Sequence, residues 1–215
     1  MPDDLLEEHL RVLVSIVILA AALSFIRPHF RRMLASEAFR LRTTNESAAR
    51  PATDATGAEH FSPWEDLEQL DIAELRKAKQ RVVVAMYSFT DRRLAEVVNE
   101  LAARNVEIRA YRDQEQFQDE ERAAVRFREP STTQLFRGRP TIRVRVKQGP
   151  LRNLMREKAF CIDGILLREG SANWSRGGLL MQDNNAHYSS DATDIERFEK
   201  TFEAMWARRE NLVIQ

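Results

Sequence analysis

The sequence predicts an α/β fold, with a mixed β-sheet flanked by helices on both faces. Three observations carry this. The run "RVVVAMYSFTDRRLAEVVNELAARNVEIRAYRD", Arg81 to Asp113, reads strand, helix, strand, the pattern of a βαβ unit. The segments "KAFCID" and "ILLREG" meet at Asp163-Gly164, a dipeptide that makes a tight hairpin between neighbouring strands. Near the end, "DATDIERFEKTFEAMWARR" sets Ile195, Phe198, Phe202 and Met205 on one helical face, as a helix covering a sheet requires.

From the amino terminus, Val12 to Ile26 carries no charge. It is shorter than the ~20 residues of an ideal span, but Arg11 and Arg27 can snorkel to the two interfaces. A cleaved signal peptide should begin basic, and this chain begins "PDDLLEEH"; a buried helix is the third reading. The anchor is preferred. Arg27, Arg31, Arg32, Arg40 and Arg42 follow it, which places the domain on the cytoplasmic side of a single-pass membrane protein. The boundaries are then 1–42 for anchor and basic flank, 43–63 for a polar, Pro- and Gly-bearing tether, and 64–215 for the domain.

Within the domain, "PWEDLEQLDIAELRKAKQ" has Trp64, Leu67, Leu70, Ile72 and Leu75 near helical spacing. "RVVVAMYSF" is the apolar run of a central buried strand. The next helix places Leu94, Val97, Val98 and Leu101 together, with Thr90 or Asp91 as its cap. "QFQDEERAAVRF" is a polar helix, "STTQLFRGRP" a loop, and "TIRVRVKQ" an alternating strand with Arg143, Arg145 and Lys147 along one face. "SRGGLLMQ" is a short helix or loop and "NNAHYSS" the last strand.

Composition excludes several classes. The 215 residues carry 33 basic and 33 acidic side chains, so no global field draws in nucleic acid. The single cysteine, Cys161, excludes an internal disulfide framework and multi-cysteine zinc sites. In "AFCID" it reads as a buried strand thiol, not a nucleophile. Arg137, Arg139, Arg143, Arg145, Lys147, Arg152, Arg156 and Lys158 crowd one stretch against Glu157 alone. They read either as a solvated basic strand or as a phosphate-attracting groove for anionic head groups or single strands.

The chemistry concentrates in "MREKAFCIDGILLREGSANWS", Met155 to Ser175. Lys158 and Asp163 are spaced Lys-x4-Asp, and Gly170-Ser171-Ala172-Asn173 follows. This resembles the phospholipase D superfamily signature, His-x-Lys-x4-Asp followed by Gly-Ser-x-Asn. The similarity runs from about Ala73 to Arg208 and is strongest to the short single-motif members, the single-domain endonucleases and the mitochondrial cardiolipin hydrolase (Zucchini) group. The resemblance implies a phosphohistidine mechanism without metal or other cofactor. It makes Lys158 and Asn173 phosphate ligands, Ser171 their support and Asp163 the acidic member of the catalytic motif. A single motif per chain implies a homodimer with a shared site. The substrates implied are phospholipid at a membrane or, second, nucleic acid.

The nucleophile's position is Arg156. A guanidinium stays protonated at physiological pH and cannot attack phosphorus, so hydrolysis should be impaired. A non-catalytic phosphate- or lipid-binding membrane protein is the reading from another class. Of the other histidines, His9 and His29 flank the anchor and His60 is in the tether. His187 lies in the last strand, where the short family members carry a glutamate near Ala186; it is a remote candidate base.

Overall fold

The computed structural model describes residues 57–150 and 153–214. The anchor, its basic flank and most of the tether lie outside the described residues. Among the described residues no helix is long and apolar enough to cross a membrane.

Eight strands form one sheet in the order β1-β7-β6-β5-β2-β3-β4-β8. In chain order these are β1 (Glu59–Ser62), β2 (Arg81–Met86), β3 (Glu107–Arg112), β4 (Ile142–Val146), β5 (Lys158–Ile162), β6 (Leu166–Gly170), β7 (Asn184–Ser189) and β8 (Leu212–Val213). Strands β2, β3 and β4 are parallel. β5, β6, β7 and β1 extend the sheet antiparallel on one side, and β8 closes the other. The sheet is therefore mixed, as expected.

The helices are α1 (Leu67–Leu75), α2 (Arg92–Ala103), α3 (Gln114–Phe127), α4 (Arg176–Leu180) and α5 (Ala192–Trp206). On one face, Val82, Val84, Ile108 and Phe160 pack with Leu67 and Leu75 of α1, Leu94 and Leu101 of α2, and Leu179 of α4. On the other, Val83, Ala85, Cys161 and Leu167 pack with Ile195, Phe202 and Trp206 of α5. β2 feeds both cores, which is why its sequence is apolar without alternation. Asp66, Asp91, Asp113 and Asp191 cap α1, α2, α3 and α5 through their carboxylates, satisfying amides that a helix start leaves unpaired.

The structure corrects four local expectations. The stretch assigned to the tether contains β1, whose mixed residues, Glu59, His60, Phe61 and Ser62, suit a sheet edge and carry no apolar period. The first helix begins only at Leu67, and Trp64 is 71% exposed rather than packed. The loop after α3 holds a 3-10 turn, Gln134–Phe136. The two-residue strand β8 is too short to leave a periodic signal.

The parallel strands all point their carboxyl ends the same way. Lys158 pairs with Met86, the last residue of β2. Lys158, the residues after β6 and the residues after β2 therefore meet at one edge. In open α/β sheets this edge is where ligands bind.

Candidate phosphodiester site

Two buried polar devices build this edge. The first centres on Arg168 and Asp71, both with no exposed surface. Arg168 Nε donates to Asp71 Oδ1 at 3.1 Å. Its Nη1 donates to the carbonyls of Lys158 (3.0 Å) and Ala172 (3.1 Å). Asp71 also accepts from Trp174 Nε1 at 2.9 Å and from the Tyr188 hydroxyl at 2.6 Å. One guanidinium thus fixes the backbone of both halves of the motif. Burial pushes the Asp71 carboxyl upward against the pull of Arg168 and of the hydrogen bonds from Tyr188, Trp174 and Arg168.

The second device fixes the approach to Arg156. Asp113 caps α3 with one oxygen, and its other oxygen accepts from the Met155 amide at 2.8 Å. The Tyr87 amide donates to the Glu157 carbonyl at 2.8 Å. Beneath it, buried Arg112 donates to the Phe89 carbonyl and Thr133 Oγ1, and its Nη2 lies 2.7 Å from Glu120 Oε2.

On this frame the predicted residues assemble. Lys158 Nζ donates to the Arg156 carbonyl at 2.9 Å and lies 4.9 Å from the Tyr87 ring centroid. The Arg156 guanidinium lies 5.8 Å from the same ring, so one aromatic side chain supports two cations. Burial, then the adjacent Arg156 charge, holds the Lys158 ammonium below the ordinary lysine range, with Glu157 partly opposing. An anion placed here would relieve that repulsion.

Asn173 Oδ1 accepts from the Ser88 amide at 3.1 Å. That bond commits the carboxamide oxygen and leaves the NH2 as a donor. Ser171 and Asn185 lock reciprocally: the Asn185 amide donates to Ser171 Oγ, and the Ser171 amide to Asn185 Oδ1, each at 2.9 Å. Asn185 Nδ2 in turn donates to Glu59. Two glycines make the crossing possible. Gly170 has φ 153°, and a Cβ there would meet the Asn185 carbonyl oxygen at 2.4 Å. At Gly178 a Cβ would meet the Asn173 carbonyl oxygen at 2.7 Å, so α4 packs directly on the Asn173 turn.

Other assigned residues lie elsewhere. Asp163 is not beside Lys158. It sits past the far end of β5, with φ 53° in the hairpin turn. There its carboxylate accepts from the amides of Lys79, Gln80 and Arg81 at 2.8–2.9 Å. Burial pushes its pKa up, but those three amides outweigh burial and hold it below the ordinary aspartate value. The role this geometry supports is to tie the hairpin to the start of β2, because an acid separated from the phosphate by the length of a strand cannot touch it.

His187 lies on the opposite face of β7 from the buried Tyr188. It is 3.7 Å from Glu59, beyond hydrogen-bond distance. His60 contacts Glu65 at 2.9 Å. Cys161 is buried, and its thiol is pushed up to about 12 by burial and then by Glu199, which suits packing and not nucleophilic attack.

Three of the eight basic residues in the crowded stretch are paired within the domain, as the solvated-strand reading has it. Arg143 pairs with Glu107. Arg145 donates to the Trp206 carbonyl and stacks 4.7 Å from its ring. Lys147 donates to the Asn153 carbonyl. These side chains, alternating along β4 and just past its end, spend their charge on the domain's own groups.

Asp71, Arg168, Asp113, Asn185 and Tyr87 carry the site yet were not singled out from sequence. Two left a signal. Leu67, Asp71 and Leu75 form an i, i+4, i+8 stripe, and Arg168 shares the strand parity of Leu166. Each is a charge on an apolar face, which demands a partner.

Comparisons with known proteins bear on the fold and the family. The family described as cardiolipin synthase, PLD-like domain, matches residues 72–206. A mitochondrial cardiolipin hydrolase from Chlamydomonas reinhardtii is 26% identical over 132 residues, covering 61% of this chain and 54% of that protein; the match spans about half the relative's length. Among solved structures, NucT from Helicobacter pylori aligns with a TM-score of 0.61 at 22% identity, over 69% of this chain and 94% of that one. Nuc from Salmonella typhimurium, a phospholipase D family member, gives 0.59 at 16%, over 72% and 96%. At these identities the two structures establish a shared fold. The family match covers well over half of the chain, and the chain therefore belongs to the phospholipase D-like family of phosphodiester hydrolases.

Proposed function

We propose that this domain holds one phosphodiester group of a phospholipid at a membrane surface, and that Arg156 leaves it impaired as a hydrolase. The observation that carries the reading is the double tether of the clamp. Lys158 and the turn bearing Asn173 are fixed by the same buried guanidinium of Arg168, with Arg156 beside them over Tyr87. Preorganised donors of this kind stabilise the charge on a transferring phosphoryl group. The covalent step additionally needs a nucleophile with a removable proton, and a guanidinium has none available near neutral pH.

Phospholipid is preferred over nucleic acid because Arg143 and Arg145 of β4 and Lys147 just past it are already paired, which removes three of the cations that successive phosphates would use. The uncharged Val12–Ile26 run would hold the domain beside head groups, on the cytoplasmic side given the arginines behind it. One motif per chain favours a homodimer whose two clamps face a common cleft.

The test is turnover of a chromogenic phosphodiester by the natural chain and by Arg156→His, with and without chelator. The expected result is chelator-insensitive activity in Arg156→His exceeding the natural chain by at least ~10²–10⁴-fold, the usual worth of one acid–base group. Equal, substantial rates would show that the chemistry bypasses position 156. No turnover in either would favour a dedicated phosphate- or lipid-binding protein. Carbonate extraction and protease protection of the full chain test the anchor. Sedimentation tests the dimer, and a strict monomer at tens of micromolar would rule out a shared site.

A further inference from the structure

A cleft of about 400 Å³ runs between α3 and the segment Glu129–Thr132. Gln116 and Thr90 of its lining link it to the neighbourhood of Lys158 and Asn173. Gln116, in its lining, donates to the Tyr87 hydroxyl at 3.4 Å, and Tyr87 is the ring beneath Lys158. Thr90, also in the lining, donates its amide to the Trp174 carbonyl, one residue past Asn173.

From there the cleft follows one face of α3 to Phe127, about 16 Å at 1.5 Å per residue. Its polarity changes along the way. The first turns present Gln116 and Asp119, and the later ones Ala123, Ala124 and Phe127, with Pro130 opposite. Phe127 is 65% exposed, with only the Arg126 guanidinium 5.3 Å over its ring; the apolar surface left in water is a cost that an apolar ligand would remove. The charges of the lining are already paired: Glu120 with the buried Arg112, Asp119 with Arg122, and Glu129 with Arg92, the one cation of the lining. The lining therefore offers no unpaired cation to the next phosphate of a polynucleotide; a hydrocarbon chain needs none.

We propose that this cleft is the seat of the apolar chain of an amphiphilic phosphodiester. Its phosphate lies on Lys158 and Asn173, its ester region along the polar first turns of α3, and its chain against Ala123, Ala124 and Phe127. The proposal rests on the phosphate reading of Lys158 above. It adds where the rest of the ligand goes and why a lipid fits better than a nucleic acid.

The experiment titrates the full chain calorimetrically with dibutyryl, dihexanoyl and diheptanoyl phosphatidylglycerol, each below its micelle concentration, and with glycerophosphoglycerol. Affinity should rise with chain length, by up to roughly fourfold for each methylene that enters the cleft. Phe127→Asp should flatten this dependence, with roughly tenfold loss for the longest lipid. Val125→Asp is the control, because Val125 is 80% exposed on the same helix but does not line the cleft; it should leave the dependence unchanged. Both side chains are exposed, so neither change threatens the fold.

No chain-length dependence in the natural chain would overturn the proposal. So would equal losses in the two variants, which would indicate general docking of α3 on an apolar surface. Lys158→Ala separates the two claims. If it leaves glycerophosphoglycerol affinity intact, the phosphate reading fails, whatever the chain-length dependence shows.

Discussion

β4 and the β5–β6 pair looked alike as sequence, since both bring arginine and lysine to one stretch. In the folded domain they are opposites. The cations of β4, Arg143 and Arg145, end on Glu107 and the Trp206 carbonyl, and Lys147 just past the strand on the Asn153 carbonyl, so their charge is used to attach α5 and the strand edge. On β5–β6 the buried Arg168 spends its hydrogen bonds on backbone carbonyls and Asp71, and Lys158 is left over an aromatic ring with no carboxylate bonded to it. A local count of basic residues is therefore a poor guide to where an anion binds. What matters is which cations the fold has already neutralised, and which it holds at a cost that an anion would relieve.

The largest expected effect breaks the β5–β6 side at its base. Asp71→Ala leaves the Arg168 charge buried without its partner, and such losses run to about 3–5 kcal/mol. Urea unfolding should show it. Asp71→Asn, which keeps the shape and one acceptor, should recover part of that stability.

Next is Asp163, the motif acid that the structure removes from the site. Asp163→Asn should cost about 1–2 kcal/mol above pH 5, because charged acceptors of backbone amides are worth more than neutral ones. Its folded pKa lies below the ordinary value. The stabilisation from its charge is therefore full above the unfolded aspartate pKa and lost as pH falls through the depressed folded value. The two proteins' stabilities should converge in acid below about pH 4. A gap that stayed constant to pH 2 would contradict the role.

A smaller effect sharpens the account of Lys158. Its lowered pKa comes first from burial and second from Arg156. Phosphate-ester binding should then weaken as pH rises through a value below the ordinary lysine range. Arg156→Ala should move that fall to higher pH, which NMR titration of the lysine side chain can follow; an unmoved midpoint would mean the two charges do not interact. Smallest is Arg143→Ala. It breaks an exposed pair with Glu107 and should change stability by less than about 1 kcal/mol.

The sequence disclosed the sheet core well because β2 is an unbroken apolar run and α2 and α5 are long and periodic, and the hairpin because Asp163-Gly164 admits positive φ at both turn residues. It pointed to Lys158 and Asn173 because they sit at family spacing. It hid β1, an edge strand with no apolar alternation, although Glu59 of that strand holds Asn185 and through it Ser171. The role of Asp163 was hidden because a motif fixes spacing along the chain, and five residues of extended strand carry the acid away from the lysine. The support network was hidden because its bonds join residues such as Asp71 and Arg168, far apart in sequence. Only the misplaced charges on two apolar faces pointed to it.

The most direct test of the contrast is binding of a minimal anion. Calorimetric titration of the full chain with dimethyl phosphate, for the natural protein, Lys158→Ala and Arg143→Ala, compares the two cations on the same footing. The account predicts at least a roughly tenfold loss for Lys158→Ala, equivalent to ~1.4 kcal/mol, and an unchanged affinity for Arg143→Ala. Equal losses in the two variants, or a loss confined to Arg143→Ala, would put the phosphate on β4 and contradict it.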